Sequence, residues 1–347
     1  MSYNKLVWDY LLERSDTVKY YLKKCGFQEL GSVKKGKAQR GRYLLTSMNK
    51  EVLEMFPPLS ETQLNDSAII PIIPLYSGKK VYCNYVYHND KFHGSNAAHP
   101  RNEYRLYLNK SLEDNQLLFC ENDIIIIRSQ DIFEGEESQT IYFLDLVKNN
   151  GTALYEKLDS IIADYPINGG YGLFEGTISE FEEKVNRVYG EVVTVAVDDS
   201  VTKKITTSAD PTNADAIASL FNAVSFRDFI MVGYENLCAV SGTVIKYDSY
   251  MNLEAAHIKP KSHGGLYLPN NGMALCRDLH WAFDKGFFTL NDDLKVVVHP
   301  RIESEYLNSF NGKPIRIPTN PFFVPDLENV RYHRKNVYGL FLTTGRL

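Results

Sequence analysis

The chain has 347 residues, of which 44% are hydrophobic and 23% charged, and its formal net charge is −5. This composition is ordinary for a folded globular protein, and the length suffices for two domains with separate cores. The sequence contains no apolar run of about 18 residues, and its N-terminus lacks the layout of a signal peptide, so no membrane association is expected. The 5 cysteines are too few for a disulfide framework and favour the cytoplasm. The acidic charge argues against a nucleic-acid coat protein, but it permits a local basic groove.

The first predicted element is a helix over residues 3–24, in which apolar residues recur mostly at spacings of three and four. A basic, glycine-containing loop follows at residues 32–42, without an acidic residue. It has two interpretations, a solvated surface loop or an arm whose cations follow a phosphate backbone. The candidate DNA-binding residues of this loop are Lys34, Lys35, Lys37, Arg40 and Arg42.

The next part of the chain predicts strands rich in β-branched and aromatic residues. Their segments are 68–76, 81–87, 103–108, 123–128 and 140–147. Several short strands with few helices between them indicate a barrel or pseudobarrel.

A polar loop at residues 89–105 leads into one of these strands. It resembles the arginine-bearing recognition loop of B-three-like pseudobarrels, which occur in plant transcription factors and in the specificity parts of some type II restriction enzymes. The resemblance implies that Arg101, Asn102 and Arg105 lie near the DNA major groove, where Arg and Asn can contact guanine and adenine edges. Alternatively, the two arginines pair with Glu103 or with acidic residues on neighbouring strands.

The middle of the chain predicts a helix near residues 177–189 and a strand at 191–197. The following stretch, 198–213, is small, polar and contains proline, which indicates an interdomain linker. Helix returns from about residue 214 to 237. The predicted organisation is α+β, with an N-terminal DNA-recognition domain at 1–175, a connecting region at 176–215 and a C-terminal domain at 216–347.

Four polar residues of the C-terminal part form the most informative pattern. His257 ends an apolar run that predicts a strand, and Asn271 opens an Asn-Gly turn. His280 and Asp284 stand four residues apart, which places both on one face of a helix. Such a strand, loop and helix can close around one divalent metal ion and one phosphodiester.

The chemistry of phosphodiester hydrolysis assigns a role to each of these residues. His257 can take the proton of the attacking water, because a neutral imidazole is basic enough near pH 7. Asn271 cannot ionise and would hold the loop or orient the imidazole. His280 and Asp284 would bind the metal and leave its other positions to water and phosphate oxygens.

Four motifs in order carry a resemblance over residues 226–301. They are Cys238-Ala-Val-Ser-Gly242, Glu254-Ala-Ala-His257-Ile-Lys-Pro260, Asn271-Gly-Met-Ala-Leu-Cys276 and Leu279-His280-Trp-Ala-Phe-Asp284-Lys-Gly286. This segment resembles an HNH nuclease domain of the subgroup found in bacterial restriction-type endonucleases. The resemblance implies a ββα-metal fold, metal-dependent DNA cleavage, His257 as general base, Asn271 as orienting residue and His280 as metal ligand. Asp284 as second ligand is inferred from its spacing.

The sequence departs from the HNH pattern at Ala256, where many such sites carry a further metal ligand. The replacement can come from Asp284, from Glu254 through a bend, or from His257 itself, and Asp284 is favoured. A degenerate, inactive site is the remaining alternative.

A second departure concerns the two Cys-x-x-Cys pairs with which many HNH domains bind a structural zinc. Ser241 and Leu279 stand where the second cysteines would be. No structural zinc is therefore expected, and Cys238 and Cys276 are predicted to be small buried residues.

The sequence thus predicts a sequence-specific DNA endonuclease of the type II restriction kind, acting on double-stranded DNA. Mg²⁺ is the favoured metal, with Mn²⁺ or another transition ion as the alternative, and Lys259 is a further candidate DNA contact. One HNH site cuts one strand, so double-strand cleavage predicts a homodimer or two sequential nicks. The rival interpretations are a modification-dependent nuclease, a ligand-gated defence nuclease and a non-catalytic DNA-binding protein.

Overall fold

The computed structural model describes most of the chain as a strand-rich N-terminal part and a smaller C-terminal part. The described residues are 18–31, 42–89, 102–113, 118–134, 137–165, 169–190, 194–208, 217–247 and 250–344.

Within the described ranges, nine strands of the N-terminal part form one sheet. They are β1 Lys19–Lys24, β2 Tyr43–Thr46, β3 Ser67–Pro74, β4 Lys80–His88, β5 Glu103–Tyr107, β6 Ile124–Glu134, β7 Glu137–Val147, β8 Tyr171–Glu175 and β9 Val195–Ala196. The order is β2-β5-β4-β3-β7-β6-β1-β8, and β9 pairs with β4. The β3–β7 and β4–β9 pairs are parallel, and the other pairs are antiparallel. The predicted strands between residues 68 and 147 are confirmed.

Both faces of this sheet are covered, as β1 illustrates. Tyr20 and Leu22 belong to one apolar cluster, whereas Tyr21 belongs to the cluster on the opposite face. Successive residues of a strand point to opposite faces, so these three consecutive apolar residues are buried on alternate sides of the sheet. The predicted helix over residues 3–24 is therefore wrong over Lys19–Lys24, because burial in the sheet overrides the apparent helical spacing. Residues 3–17 lie outside the described ranges.

The helices of the described residues cover the sheet and complete the C-terminal part. They are α1 Lys50–Leu53, α2 Ala153–Asp164, α3 Ser179–Gly190, α4 Asp199–Ser208, α5 Ala223–Gly233, α6 Arg277–Asp284, α7 Glu305–Asn308, α8 Leu327–Asn336 and α9 Phe341–Thr344. Short 3-10 turns occur at Lys261–His263, Pro269–Asn271 and Pro321–Phe323. Among the described helices, none has the length and apolar character needed to cross a membrane.

The predicted linker at 198–213 is wrong over its first part, where α4 forms. Val201 and Ile205 lie on one face of α4, and both are buried in a cluster with Tyr82 and Phe221. This tertiary packing stabilises a helix whose sequence is otherwise small and polar. β9 also falls in the predicted connecting region and adds to β4 of the sheet. The predicted domain boundaries stay a prediction.

The C-terminal part is built on a hairpin followed by a helix. β12, Leu253–His257, pairs antiparallel with β13, Gly272–Cys276, and α6 follows β13 directly. The remaining strands are β10 Lys246–Tyr247, β11 Tyr250–Met251, β14 Phe288–Leu290 and β15 Val296–Val298. The predicted strand ending at His257 and the predicted helix carrying His280 are confirmed, and so is the α+β fold class.

One continuous core holds this part together. It joins α5, the β12–β13 hairpin, α6 and the β14–β15 hairpin, and it includes Cys238 and Cys276. Both cysteines are buried, as predicted, and Ala256 is fully buried in the same core. The packing of these apolar side chains fixes the relative positions of the hairpin and the helix, which carry the candidate site.

Candidate active site

His257 is the last residue of β12 and lines a cleft of about 440 Å³. The same cleft is lined by Lys261 and His263 from the loop after β12, and by His280 and Asp284 from α6. The hairpin and the helix therefore bring together the two histidines and the aspartate that the sequence singles out.

The environment of His257 keeps its imidazole neutral. Burial, together with the charges of Lys261 and His280, lowers the pKa of His257 to about 4. The ring therefore carries no proton charge at pH 7 and can accept a proton. Its Nε2 atom is buried without a hydrogen-bond partner. Nδ1 is therefore the nitrogen left to contact water in the cleft.

Two aromatic rings enclose this imidazole. Phe226 of α5 stacks on it with ring centroids 4.4 Å apart and an interplanar angle of 23°. Tyr267 packs against it at 5.4 Å, and the Nζ of Lys261 lies 3.7 Å from the centroid of the Tyr267 ring. The sequence pattern does not reveal these contacts, because Phe226 and Tyr267 come from distant segments without a periodic signal.

Asn271 is buried, and its side chain holds the loop that follows His257. Its Oδ1 accepts a hydrogen bond from the backbone N of Lys259 at 2.8 Å. Its Nδ2 donates to the backbone oxygens of Lys259 at 3.2 Å and Leu266 at 3.0 Å. The backbone N of Ile258 donates to the backbone oxygen of Asn271 at 2.8 Å. These bonds fix the backbone on the C-terminal side of His257, so any orienting effect of Asn271 acts through the loop.

His280 lies between two carboxylates, one at each ring nitrogen. Its Nδ1 is 2.8 Å from Oε2 of Glu254, and its Nε2 is 3.4 Å from Oδ2 of Asp284. Glu254 also approaches Nε of Arg277 at 3.1 Å. A carboxylate on one nitrogen of a metal-binding histidine fixes the ring and raises its basicity. Glu254 therefore occupies the place of such a supporting carboxylate, on the ring nitrogen opposite the one that faces Asp284.

The residues present fit a divalent ion with two protein ligands, Nε2 of His280 and Oδ2 of Asp284. Among the described residues, no group of three or more His, Cys, Asp or Glu is arranged to hold a metal. The geometry around His280 agrees with this finding. Glu254 approaches Nδ1 of the ring, on the side away from Asp284, so it does not add a third ligand. Partial burial raises the pKa of Asp284 although 52% of its side chain is exposed, and a bound cation would oppose that shift.

The candidate DNA-binding residues of the N-terminal part lie only partly in the described ranges. Lys34, Lys35, Lys37, Arg40 and Arg101 lie outside them. Arg42 is engaged within the protein, because its guanidinium forms two hydrogen bonds with the carboxylate of Glu113, at 2.6 and 2.9 Å.

Two further candidates are also engaged. Arg105 pairs with Glu103 at 2.6 Å, as the alternative interpretation expects, and its guanidinium lies 4.3 Å from the centroid of the Tyr43 ring. Nδ2 of Asn102 donates to the hydroxyl of Tyr87 at 2.7 Å. Lys259 of the C-terminal part lies over the ring of Tyr332, at 5.0 Å. The DNA-binding roles of all these residues stay predictions.

Comparison with known proteins identifies the C-terminal motif. Residues 238–291 match the family profile described as HNH endonuclease. This range contains His257, Asn271, His280 and Asp284, so all four candidate site residues lie within the similarity to HNH endonucleases. No curated protein matches the chain.

Two solved structures are each similar to part of the chain. One is a modification-dependent restriction endonuclease, TagI, with 32% identity, a TM-score of 0.28 and coverage of 33% of this chain and 38% of that chain. The other is the B3 domain of the UbaLAI restriction endonuclease, solved with cognate DNA, with 16% identity, a TM-score of 0.30 and coverage of 49% of this chain and 99% of that chain. This chain therefore spans well under half of the TagI chain.

Proposed function

We propose that the protein is a DNA endonuclease whose HNH domain hydrolyses phosphodiester bonds with one divalent cation. The observation that carries the proposal is one cleft lined by neutral His257 together with His280 and Asp284. All three residues lie within the HNH match. The binding of DNA and the dependence on metal are parts of this proposal.

Each residue of the cleft has a distinct role in the proposed reaction. His257 takes the proton of the attacking water through Nδ1, since its other nitrogen is buried. His280 and Asp284 hold the cation, which when bound stabilises the charge on the phosphoryl and departing oxygens. Glu254 fixes the ring of His280. Lys261 lines the cleft and offers a positive charge to the DNA backbone.

The N-terminal sheet is proposed as the part that selects the DNA site. The HNH match begins at residue 238 and leaves the whole sheet for another task. Sequence-specific cleavage of the type II restriction kind is the favoured form, with Mg²⁺ preferred and Mn²⁺ as the alternative. One site per chain implies a homodimer or two sequential nicks for a double-strand break. A cytoplasmic location stays a prediction.

The test is plasmid cleavage by the purified full chain with Mg²⁺, with Mn²⁺ and with EDTA, beside the variant His257→Ala. We expect metal-dependent cutting by the wild type and none by the variant. Binding without cutting in any metal would contradict the proposal and favour the non-catalytic rival.

The substrate is tested by repeating the assay on unmodified, methylated and hydroxymethylated DNA. Cutting of unmodified DNA at one sequence, read by run-off sequencing, is expected. Cutting of modified DNA alone would establish the modification-dependent rival. Accumulation of nicked circles before linear DNA would indicate two sequential nicks.

A further inference from the structure

Helix α5, Ala223–Gly233, lies outside the HNH match, yet it contacts the proposed general base. The ring of Phe226 stacks on His257, and Nε2 of that imidazole has no hydrogen-bond partner. Hydrogen bonding through Nε2 therefore does not set the orientation of the ring. The aromatic faces of Phe226 and Tyr267 are the contacts that hold it.

The approach of α5 to the hairpin depends on a glycine. Gly272 is the cross-strand partner of His257. A Cβ atom at Gly272 would lie 2.6 Å from Cζ of Phe226 and 2.6 Å from Cδ1 of Ile230. A side chain at Gly272 would therefore displace the ends of Phe226 and Ile230, and the glycine allows their close packing against the strand pair that ends at the base. The glycine of the Asn-Gly pair thus has a packing role beside His257.

The opposite side of α5 is attached to the N-terminal sheet. Oδ2 of Asp228 accepts hydrogen bonds from Nζ of Lys80 and from the hydroxyl of Tyr82, each at 2.7 Å. The rings of Tyr82 and Phe229 pack edge to face at 4.9 Å. The side chains of Lys80 and Asp228 are only 14% and 15% exposed, so this ion pair is largely shielded from solvent. One short helix therefore contacts β4 with one side and His257 with the other.

We infer that α5 positions the general base, with Phe226 as the positioning residue and Asp228 as its anchor on the N-terminal sheet. The inference rests on the proposed function for the reaction itself. It means that the rate of cleavage depends on the docking of the sheet against α5, separately from how tightly the sheet binds DNA. A small displacement of a catalytic group is enough to slow a reaction strongly.

The first test replaces Phe226 with Leu, which keeps an apolar side chain but removes the aromatic face. Phe288→Leu is the matched control, since Phe288 is fully buried in the same core and packs on Phe283 instead. We expect Phe226→Leu to lower the single-turnover rate at saturating DNA by roughly tenfold or more. The Kd for DNA should stay within about twofold, as the sheet is unchanged. Equal rates for the two variants would overturn the inference.

A readout independent of cleavage separates this inference from the proposed function. The ring-proton NMR signals of His257 should carry a ring-current shift that Phe226→Leu reduces, because only the Tyr267 ring then remains beside it, and that Phe288→Leu keeps. If the wild type cuts no DNA but shows this shift, the proposed function fails while the stacking contact stands. If Phe226→Leu leaves the shift unchanged, the positioning role fails whatever the activity.

The second test concerns the anchor. Asp228→Ala should lower the single-turnover rate in the same direction, and Tyr82→Phe, which removes one of the two hydrogen bonds, should lower it less. Asp145→Ala is the control, because Asp145 is a buried carboxylate paired with Lys184 away from α5. Phe226→Leu and Asp228→Ala both act through the position of the His257 ring. The double variant should therefore lose less of the single-turnover rate than the product of the two single effects. Independent, multiplicative effects, or a rate for Asp228→Ala equal to that of Asp145→Ala, would contradict the anchoring role.

Discussion

Two histidines of the C-terminal part share an environment and differ in their partners. His257 stacks on Phe226 at 4.4 Å and His333 stacks on Phe283 at 3.7 Å, and burial lowers the pKa of each to about 4. His333 uses both nitrogens, with Nδ1 2.9 Å from Oγ1 of Thr289 and Nε2 3.1 Å from the backbone oxygen of Phe283. His257 has one buried nitrogen without a partner and lines a cleft.

The difference shows that a lowered pKa does not by itself identify a catalytic histidine. Burial is the largest cause of the lowered pKa in both rings. A fully paired, 1% exposed imidazole such as His333 holds α8 against β14. An imidazole with unused hydrogen-bonding capacity beside the proposed metal ligands is available for chemistry.

The largest expected effect is on the rate of cleavage, and it should distinguish His257 from His333. His257→Ala should reduce single-turnover cleavage on the order of 10³-fold, because it removes the proposed general base. Its effect on the free energy of unfolding should come from the lost packing on Phe226 and Tyr267, since the ring has no hydrogen bond at Nε2 to lose. Kinetics and chemical denaturation of the same preparation measure both quantities.

The counterpart variant is His333→Ala. It leaves the buried hydroxyl of Thr289 and a backbone carbonyl without a partner, which costs roughly 1–3 kcal/mol in the free energy of unfolding. Cleavage per folded molecule should stay near that of the wild type. A loss of activity in His333→Ala as large as that of His257→Ala would contradict the roles inferred from the hydrogen-bond partners of the two histidines.

The next effect concerns the metal ligands on the other side of the cleft. Asp284→Ala removes one of the two proposed protein ligands and should lower cleavage by roughly 10²-fold at a fixed Mg²⁺ concentration. Added Mg²⁺ or Mn²⁺ should restore part of the rate, which a titration of rate against metal concentration measures. If the metal concentration for half-maximal rate is the same as in the wild type, Asp284 is not a ligand.

A smaller effect is expected from the carboxylate behind His280. Glu254→Gln keeps the size of the side chain but weakens its hold on Nδ1, and it should weaken apparent metal affinity by roughly tenfold. Isothermal titration with Mn²⁺ measures the affinity directly. A complete loss of metal binding in this variant would instead make Glu254 a direct ligand, one of the alternatives that the sequence leaves open.

The sequence predicts the strand and the helix that carry the C-terminal candidate residues, because the information for both elements is local. The strand ending at His257 and the helix with His280 and Asp284 at i and i+4 follow from chain patterns, and α6 brings the latter pair to 3.4 Å. Glu254 is recognised as a candidate, but its place on Nδ1 depends on how β12 crosses α6. Phe226 is not recognised at all, because its contact with His257 is set by tertiary packing.

The N-terminal part shows where local patterns mislead. The apparent helix at Lys19–Lys24 is a strand because Tyr20 and Leu22 are buried on one face of the sheet and Tyr21 on the other. The apparent linker contains α4 because Val201 and Ile205 find a buried cluster formed by distant residues. Arg42 belongs to a basic loop in the sequence, which suggests a DNA contact. In the structure it instead pairs with Glu113, which lies far along the chain.

The smallest expected effect is the pH dependence that each of the two histidines gives to the free energy of unfolding. Both have a folded-state pKa of about 4, below the value of about 6.5 expected in the unfolded chain. The unfolded state therefore binds more protons between these values, so stability is fully present above about pH 6.5 and falls as the pH drops toward 4. At pH 5.5 the loss for a fully buried histidine is roughly 1 kcal/mol relative to pH 7.

His333→Gln should remove more of this pH dependence than His257→Gln, because His257 faces an open cleft where solvent screens its charge. Urea unfolding of both variants at pH 7 and 5.5 measures the slopes, and a larger change in His257→Gln would mean that its ring is the better shielded of the two.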